Sequence, residues 1–181
     1  MSSPQGRFTD EAMLLDGLVF RRAEAWGKHL VHFYDHGESS PKARREHGRM
    51  VHIHLGIYGF FTESALPMDP PTGQVRLRII GDEEGTDLRG PNTCELITAD
   101  DLDALVARLG PDPLRSDADP EAGWTRLSRS RRPVGSLLMD QKVLAGVGNI
   151  YRAEVLFRNG IDPMRPGTTV SREEYDAMWA D

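Results

Sequence analysis

Cysteine is almost missing from this chain: Cys94 is the only one in 181 residues. A lone thiol excludes an internal disulfide, and it excludes a zinc finger made from this chain's own cysteines. A reducing compartment, the cytoplasm, is the expectation. Long apolar runs are missing too. None approaches the ~20 residues of a membrane-spanning helix, and the opening MSSPQGRF has no signal-peptide pattern, so no membrane partner is expected. Internal repeats and low-complexity tracts are absent. So is net positive charge. The formal charge is -6, from 22 Lys/Arg against 28 Asp/Glu, which argues against indiscriminate nucleic-acid binding.

What is present reads as a globular chain, 39% hydrophobic and 28% charged, long enough for one large or two small domains. Its first half has strand character. LVFRRAEAW, LVHFY, VHIHL, YGFFT and the alternating QVRLRII run from Leu18 to Ile80, with a polar loop over His36–Arg49. Ahead of them, Thr9–Glu11 are placed to cap a short helix carrying Ala12, Leu14 and Leu15. Thr98 and Asp101 form a capping box for a helix to Leu109, with Leu102, Leu105, Val106 and Leu109 on one face. GPDPLRSDADP then reads as a linker. Ser171 and Glu174 make a second capping box before Tyr175, Met178 and Trp179. The expected fold class is α+β: an antiparallel, β-sandwich-like domain over 1–110, then a helical domain over 111–181.

Charge is unevenly spread. Between Trp124 and Arg165 stand eight Lys/Arg against three acids, while Asp100–Glu121 is acidic. The basic half contains the most informative stretch, LLMDQKVLAGVGNIYRAEVLFRNGIDP, Leu137–Pro163. Pro133 suits the first turn of a leading helix with Leu137, Leu138 and Met139 on its apolar side. Gly146, Val147 and Gly148 make a flexible turn. Asn149 is placed as an N-cap, and Ile150, Ala153 and Phe157 recur at helical spacing. Gly160 and Pro163 close the second helix. The N-terminus of that helix offers backbone N–H groups to an anion such as a nucleic-acid phosphate. The plain alternative is a helical hairpin that packs a core.

That string resembles the helix–two-turn–helix element of the formamidopyrimidine-DNA glycosylase and endonuclease VIII family, with the endonuclease VIII-like branch favoured. The resemblance implies a base-excision-repair DNA glycosylase with abasic-site lyase activity on oxidised bases, pyrimidines favoured, and damaged double-stranded DNA as partner. A monomer is expected, nucleoid-associated if bacterial. It implies Asn149 as a phosphate ligand with backbone help from Val147 and Gly148, and Lys142 as a backbone contact. WGKHL then supplies Lys28, which would engage phosphate and assist chemistry; on its own it reads as a surface lysine at a strand start. HLGIYG resembles the family's gap-filling loop, making Ile57 and Tyr58 the residues that occupy the space of an extruded base. Core packing in a β-turn is the alternative for Ile57. GTDLRG resembles the loop whose arginine faces the opposite base, here Arg89, against a salt bridge to Asp87 or Glu95. Glu154 reads as a partner of turn amides or of Arg158 rather than a general acid.

The family's N-terminal proline nucleophile and adjacent glutamate have no counterpart here, since Met1 is followed by Ser2, Ser3 and Pro4. The proline amine would attack the sugar C1′ and form a Schiff base. The family's structural zinc would need C-terminal cysteines that this sequence lacks, so no cofactor is expected in this chain. A truncated, catalytically incomplete form is the expectation: weak DNA binding at most and no lyase activity. Two other classes stay open. One is a non-catalytic nucleic-acid-binding module. The other is a His-dependent metal enzyme on His52 and His54, to which His29, His32, His36 and His47 are sequence neighbours; packed or solvated histidines are the preferred reading, and no metal ligand is assigned.

Overall fold

The computed structural model describes residues 1–37 and 49–181. Most of the His36–Arg49 loop, His47 included, lies outside the described residues. The rest forms two compact units: Met1–Ala25 with His29–Leu102, and Trp26–Lys28 with Asp103–Asp181.

The first unit is α1 (Thr9–Leu15) followed by seven strands: β1 (Val19–Trp26), β2 (His29–Asp35), β3 (Arg49–His54), β4 (Phe60–Ala65), β5 (Val75–Ile80), β6 (Glu84–Arg89) and β7 (Thr93–Ile97). They make two sheets, ordered β1-β2-β3-β7 and β4-β6-β5. The β2–β3, β3–β7, β4–β6 and β5–β6 pairs are all antiparallel. One core joins them: Tyr34, Val51 and Ile53 from the first sheet, Leu77 and Leu88 from the second, and Phe8, Ala12 and Leu15 from around α1. The β-sandwich-like expectation therefore holds.

Several local readings need correction. Phe8, not Thr9, is the N-cap of α1, and no side chain caps that helix. Leu14 faces solvent while Leu15 is buried. Tyr58 and Gly59 lie outside the strand that begins at Phe60. GTDLRG is strand β6 rather than a loop. Its sequence, with Gly, Asp and Arg, is a poor strand former. It is nevertheless the central strand of its sheet, because its charges are matched in place. Arg78 Nε and Nη2 donate to the two Asp87 carboxylate oxygens at 2.7 and 2.8 Å, and Arg89 Nη2 donates to Asp87 Oδ2 at 2.9 Å. The hydrogen bond from Arg78 outweighs burial and holds the Asp87 carboxyl below the usual carboxylate range.

The second unit is helical: the end of α2 (Ala99–Val106), then α3 (Pro120–Ser128), α4 (Val134–Met139), α5 (Asn149–Arg158), a 3₁₀ turn (Gly167–Thr169) and α6 (Arg172–Ala180). Both predicted capping boxes form: Thr98 N–H donates to Asp101 and Asp101 N–H to Thr98, and Ser171 and Glu174 do the same for α6. Helix α3 starts at the last residue of the stretch read as linker. Its signal was present, since Asp119 caps it and Pro120 opens it. Its core holds Leu127, Leu137, Leu138, Val143, Leu144, Leu156, Tyr175 and Met178. No helix among the described residues is long and apolar enough to cross a membrane.

One titratable group links the first unit's packing to pH. His32 sits edge-on to Phe20 and stacked on Phe61, and its Nδ1 lies 3.1 Å from the Tyr34 hydroxyl. Burial pushes it down from 6.5 to about 4. Between those values the unfolded chain takes a proton that the folded chain refuses, so its contribution is complete above about 6.5 and is lost as pH falls toward 4. Lowering the pH from 7.5 to 5 should cost about 2 kcal/mol through this residue. Urea unfolding at both pH values should show that loss, and His32→Phe should remove it. An unchanged pH dependence in the variant would refute the assignment.

Candidate nucleic-acid interface

The predicted turn between α4 and α5 is built largely from its own side chains. After α4, the Asp140 carbonyl accepts from Val143 N–H at 2.8 Å and its Oδ1 from Lys142 N–H at 3.1 Å. Val143, Leu144 and Ala145 are then driven into the core. Gln141 closes the loop: its Oε1 accepts from Gly146 N–H at 2.9 Å, and its Nε2 donates to the Val147 carbonyl at 3.0 Å. Gly146 takes φ +89°, which explains the glycine. Pro133 is the N-cap of α4, one residue outside the helix it was expected to open.

Gly148, not Asn149, is the N-cap of α5. Its extended backbone (φ -115°, ψ -177°) supplies the non-helical residue that a cap requires. Asn149 is therefore the first helical residue, and its side-chain oxygen accepts from Arg152 instead. No side chain caps this helix, and its first turn has no acidic residue. Asn149 and Ile150 are exposed. The buried face of α5 also differs from the expected one. Leu156 is buried and Val155 packs beside it, whereas Ile150 and Phe157 are 74% and 84% exposed. Two apolar stripes share the helical period, and periodicity does not say which one meets the core.

Lys28 belongs to this site. It follows Gly27, which takes φ +59° in the β1–β2 turn. A Cβ placed on Gly148 would lie 3.6 Å from Lys28 Nζ, so the ammonium stands over the start of α5. A cation at a helix N-terminus is unfavourable by itself, because both are positive. An anion between them would relieve both.

Much of the basic excess counted along the sequence is spent internally. Arg132 pairs with Asp140, Arg158 with Asp181 and Arg165 with Glu174, and Arg126 donates to the Lys142 carbonyl. The pairing of Arg158 with Asp181, at 2.7 Å, replaces the Glu154 partner expected for it. Lys142 is exposed.

The remaining candidates lie in the first unit. Gly59 N–H donates to the Leu55 carbonyl at 3.0 Å, throwing Ile57 and Tyr58 to the loop tip, 87% and 81% exposed. Core packing for Ile57 is thereby excluded. A Cβ on Gly90 would meet the Tyr58 carbonyl oxygen at 3.3 Å, so this loop borders the end of β6. Arg89 pairs with Phe60 in the sheet register, and its donors go to Asp87, Thr62 and Thr72. Of the two salt-bridge partners considered for it, Asp87 is the one it takes. Glu95 instead lies 3.0 Å from His52 Nδ1, while His52 Nε2 lies 2.9 Å from His29 Nδ1. Among the described residues no group of three or more His, Cys, Asp or Glu converges as a metal site.

Comparison with known proteins shows what the chain is similar to. Residues 109–181 match the family described as Formamidopyrimidine-DNA glycosylase H2TH domain. The fold is shared with the Lactococcus lactis Fpg solved in complex with DNA containing an abasic site: TM-score 0.71, 22% identity, 91% of this chain and 58% of that one. Endonuclease 8 1 of Mycobacterium tuberculosis H37Rv is 56% identical over 185 residues, covering 100% of this chain and 65% of the relative. The formamidopyrimidine-DNA glycosylase of Rhodospirillum rubrum is 36% identical over 140 residues, covering 74% of this chain and 50% of that protein. Residues 109–181 thus carry the H2TH domain of the formamidopyrimidine-DNA glycosylase family, and the whole chain is similar to its endonuclease 8 relatives, spanning just under two thirds of the length of the mycobacterial ones.

The Gly27 turn allows a direct test of this geometry. A Cβ at Gly27 would meet Gly146 N at 2.9 Å and Ala145 Cβ at 3.0 Å, whereas at Gly160, also at positive φ, it would meet nothing within 4 Å. Gly160→Ala should cost about 1–2 kcal/mol, for its backbone conformation alone. Gly27→Ala should cost about 3 kcal/mol or more, because backbone must also move. Equal losses in urea unfolding would contradict the close approach.

Proposed function

We propose that this chain is the DNA-gripping portion of a base-excision-repair glycosylase with abasic-site lyase activity, acting on oxidised bases, pyrimidines favoured, in duplex DNA. The observation that carries the reading is the Lys28 ammonium standing over the uncapped start of α5. Two like-signed groups converge there with no acid in the first turn, and a backbone phosphate has the charge and acceptors to satisfy both. Asn149 and the Val147–Gly148 backbone complete the cradle, and Lys142 adds a longer-range backbone contact. The relatives named as glycosylases and an endonuclease, and the neighbour solved on abasic-site DNA, support the same partner.

In this reading the Ile57–Tyr58 tip enters the stack where a nucleotide has been extruded. A branched aliphatic and an aromatic ring, both exposed, suit that space. Arg89 would read the opposite base only after releasing Asp87, Thr62 and Thr72. Lys28 holds phosphate and, in a molecule that carries the amine nucleophile, stabilises charge beside the reacting sugar.

Binding to a duplex with a tetrahydrofuran abasic-site analogue, followed by fluorescence anisotropy at low salt, tests the cradle. Lys28→Met and Asn149→Ala should each raise Kd roughly tenfold, with Lys28→Met reducing the log Kd against log salt slope by about 1. Gly148→Ala should weaken binding while shifting Tm by only about 3 °C, since its Cβ fits but occupies the space beneath the ammonium. Undiminished binding in Lys28→Met would overturn the reading.

A further inference from the structure

The segment GPDPL, Gly110–Leu114, reads as linker in the sequence but is the piece that joins the two halves of the phosphate cradle. Gly110 N–H donates to the Gln141 carbonyl at 2.8 Å, and the Pro111 carbonyl accepts from Ala145 N–H at 3.0 Å. Gly110 is obligatory at this approach, because a Cβ there would meet the Val143 carbonyl oxygen at 2.5 Å. The segment thus lies along the α4–α5 turn. Its next residue, Asp112, is 8% exposed. Asp112 Oδ2 accepts from Gly27 N–H at 2.8 Å and Oδ1 from Leu114 N–H at 2.9 Å. A carboxylate with both oxygens committed to backbone amides is a rigid fixture.

We propose that Asp112 is a positioning residue for DNA binding. One oxygen is anchored in its own loop, and the other holds the Gly27 amide against Gly146, which fixes Lys28 over Gly148. Its role rests on the reading of Lys28 as a phosphate ligand. Asp112 itself is buried beneath the cradle, and a negative charge touching phosphate would oppose binding. It acts through the backbone of the residue before the lysine. An acid is required because both neighbours are donors, which only an acceptor-only group satisfies at once. Asparagine can face one of the two amides with oxygen and must turn its NH₂ toward the other.

The test is a double-mutant cycle on the 181-residue chain, with the tetrahydrofuran duplex as probe and hydrogen exchange at Gly27 as a readout that needs no DNA. The Gly27 amide should be protected in the wild type and exchange faster in Asp112→Asn. Asp112→Asn should weaken binding roughly tenfold, as expected for losing a hydrogen bond to a charged group. In a Lys28→Met background it should add nothing, because the lysine it serves is gone. A merely structural aspartate would instead weaken the two backgrounds equally, and that additivity overturns the proposal. So does an Asp112→Asn chain with unchanged affinity or an unprotected Gly27 amide in the wild type. If Lys28→Met alone leaves affinity intact, the phosphate reading fails while Gly27 exchange still decides the tether. Should Asp112→Asn not fold, Asp112→Glu keeps the charge but lengthens the reach, and the same cycle is run with it.

Discussion

A turn that offers its backbone to a ligand cannot be held by that backbone, so its anchoring has to come from side chains pointing the other way. In the second unit this constraint is met by Val143, Leu144 and Ala145, which leave α4 and go directly into the core with Leu137 and Leu138. Gln141 then spans the loop as a substitute strand, accepting from Gly146 and donating to Val147. A glutamate there would keep the acceptor and lose the donor. The consequence is that α5 begins at a defined place with its first turn unblocked. The exposed part of the motif is anchored by a buried part that is apolar.

The first unit solves a related problem with charge instead of apolar burial. Strand β6 is flanked on both sides, yet carries aspartate and arginine at its end. A buried carboxylate is costly unless its acceptors are filled. Asp87 fills them with two arginines, one from the neighbouring strand and one from its own. The price of this arrangement is that Arg89 is committed. Its bidentate fork, the feature that suits arginine to a base edge, already has occupants. The side chains at the neighbouring loop tip, Ile57 and Tyr58, carry no such commitment and stand exposed.

How much of this was readable from the letters depends on what each feature is made of. The capping boxes at Thr98 and Ser171 were legible because they are local: a side chain and an amide three residues apart determine them. The glycine turn was legible for the same reason. The identity of the cap was not, since Gly148 and Asn149 are both acceptable and only the backbone angle decides. The buried side of α5 was missed because Ile150, Ala153 and Phe157 obey the same period as the stripe that packs. Strand β7 was missed because the strand it pairs with, β3, is distant in sequence, and β6 because its charges are matched by Arg78 on the neighbouring strand, which no alternation of letters registers. The linker reading of Gly110–Leu114 failed most instructively. Glycine and prolines signal an irregular backbone, which is correct, but irregular backbone carries function when its polar groups are paired to something far away. Asp112 is 85 residues from Gly27, and no spacing rule reaches that far.

The electrostatics of the cradle run against folding stability, and that opposition is itself informative. Placing an ammonium over a helix N-terminus forfeits the few tenths to 1 kcal/mol that an acidic side chain would contribute there. The chain could have capped α5 as it caps α6, where Ser171 and Glu174 satisfy the amides and two acids occupy the first turn. It has instead a glycine cap, no acid and a lysine brought from a separate hairpin. Holding that lysine takes a glycine at positive φ, a backbone approach that excludes Cβ, and a buried carboxylate. Each of these narrows the sequences that fold, and none improves packing. Features that cost stability and converge on one point are best accounted for by a ligand that restores the balance when bound, and an anion with several acceptor oxygens is the group that fits the donors present.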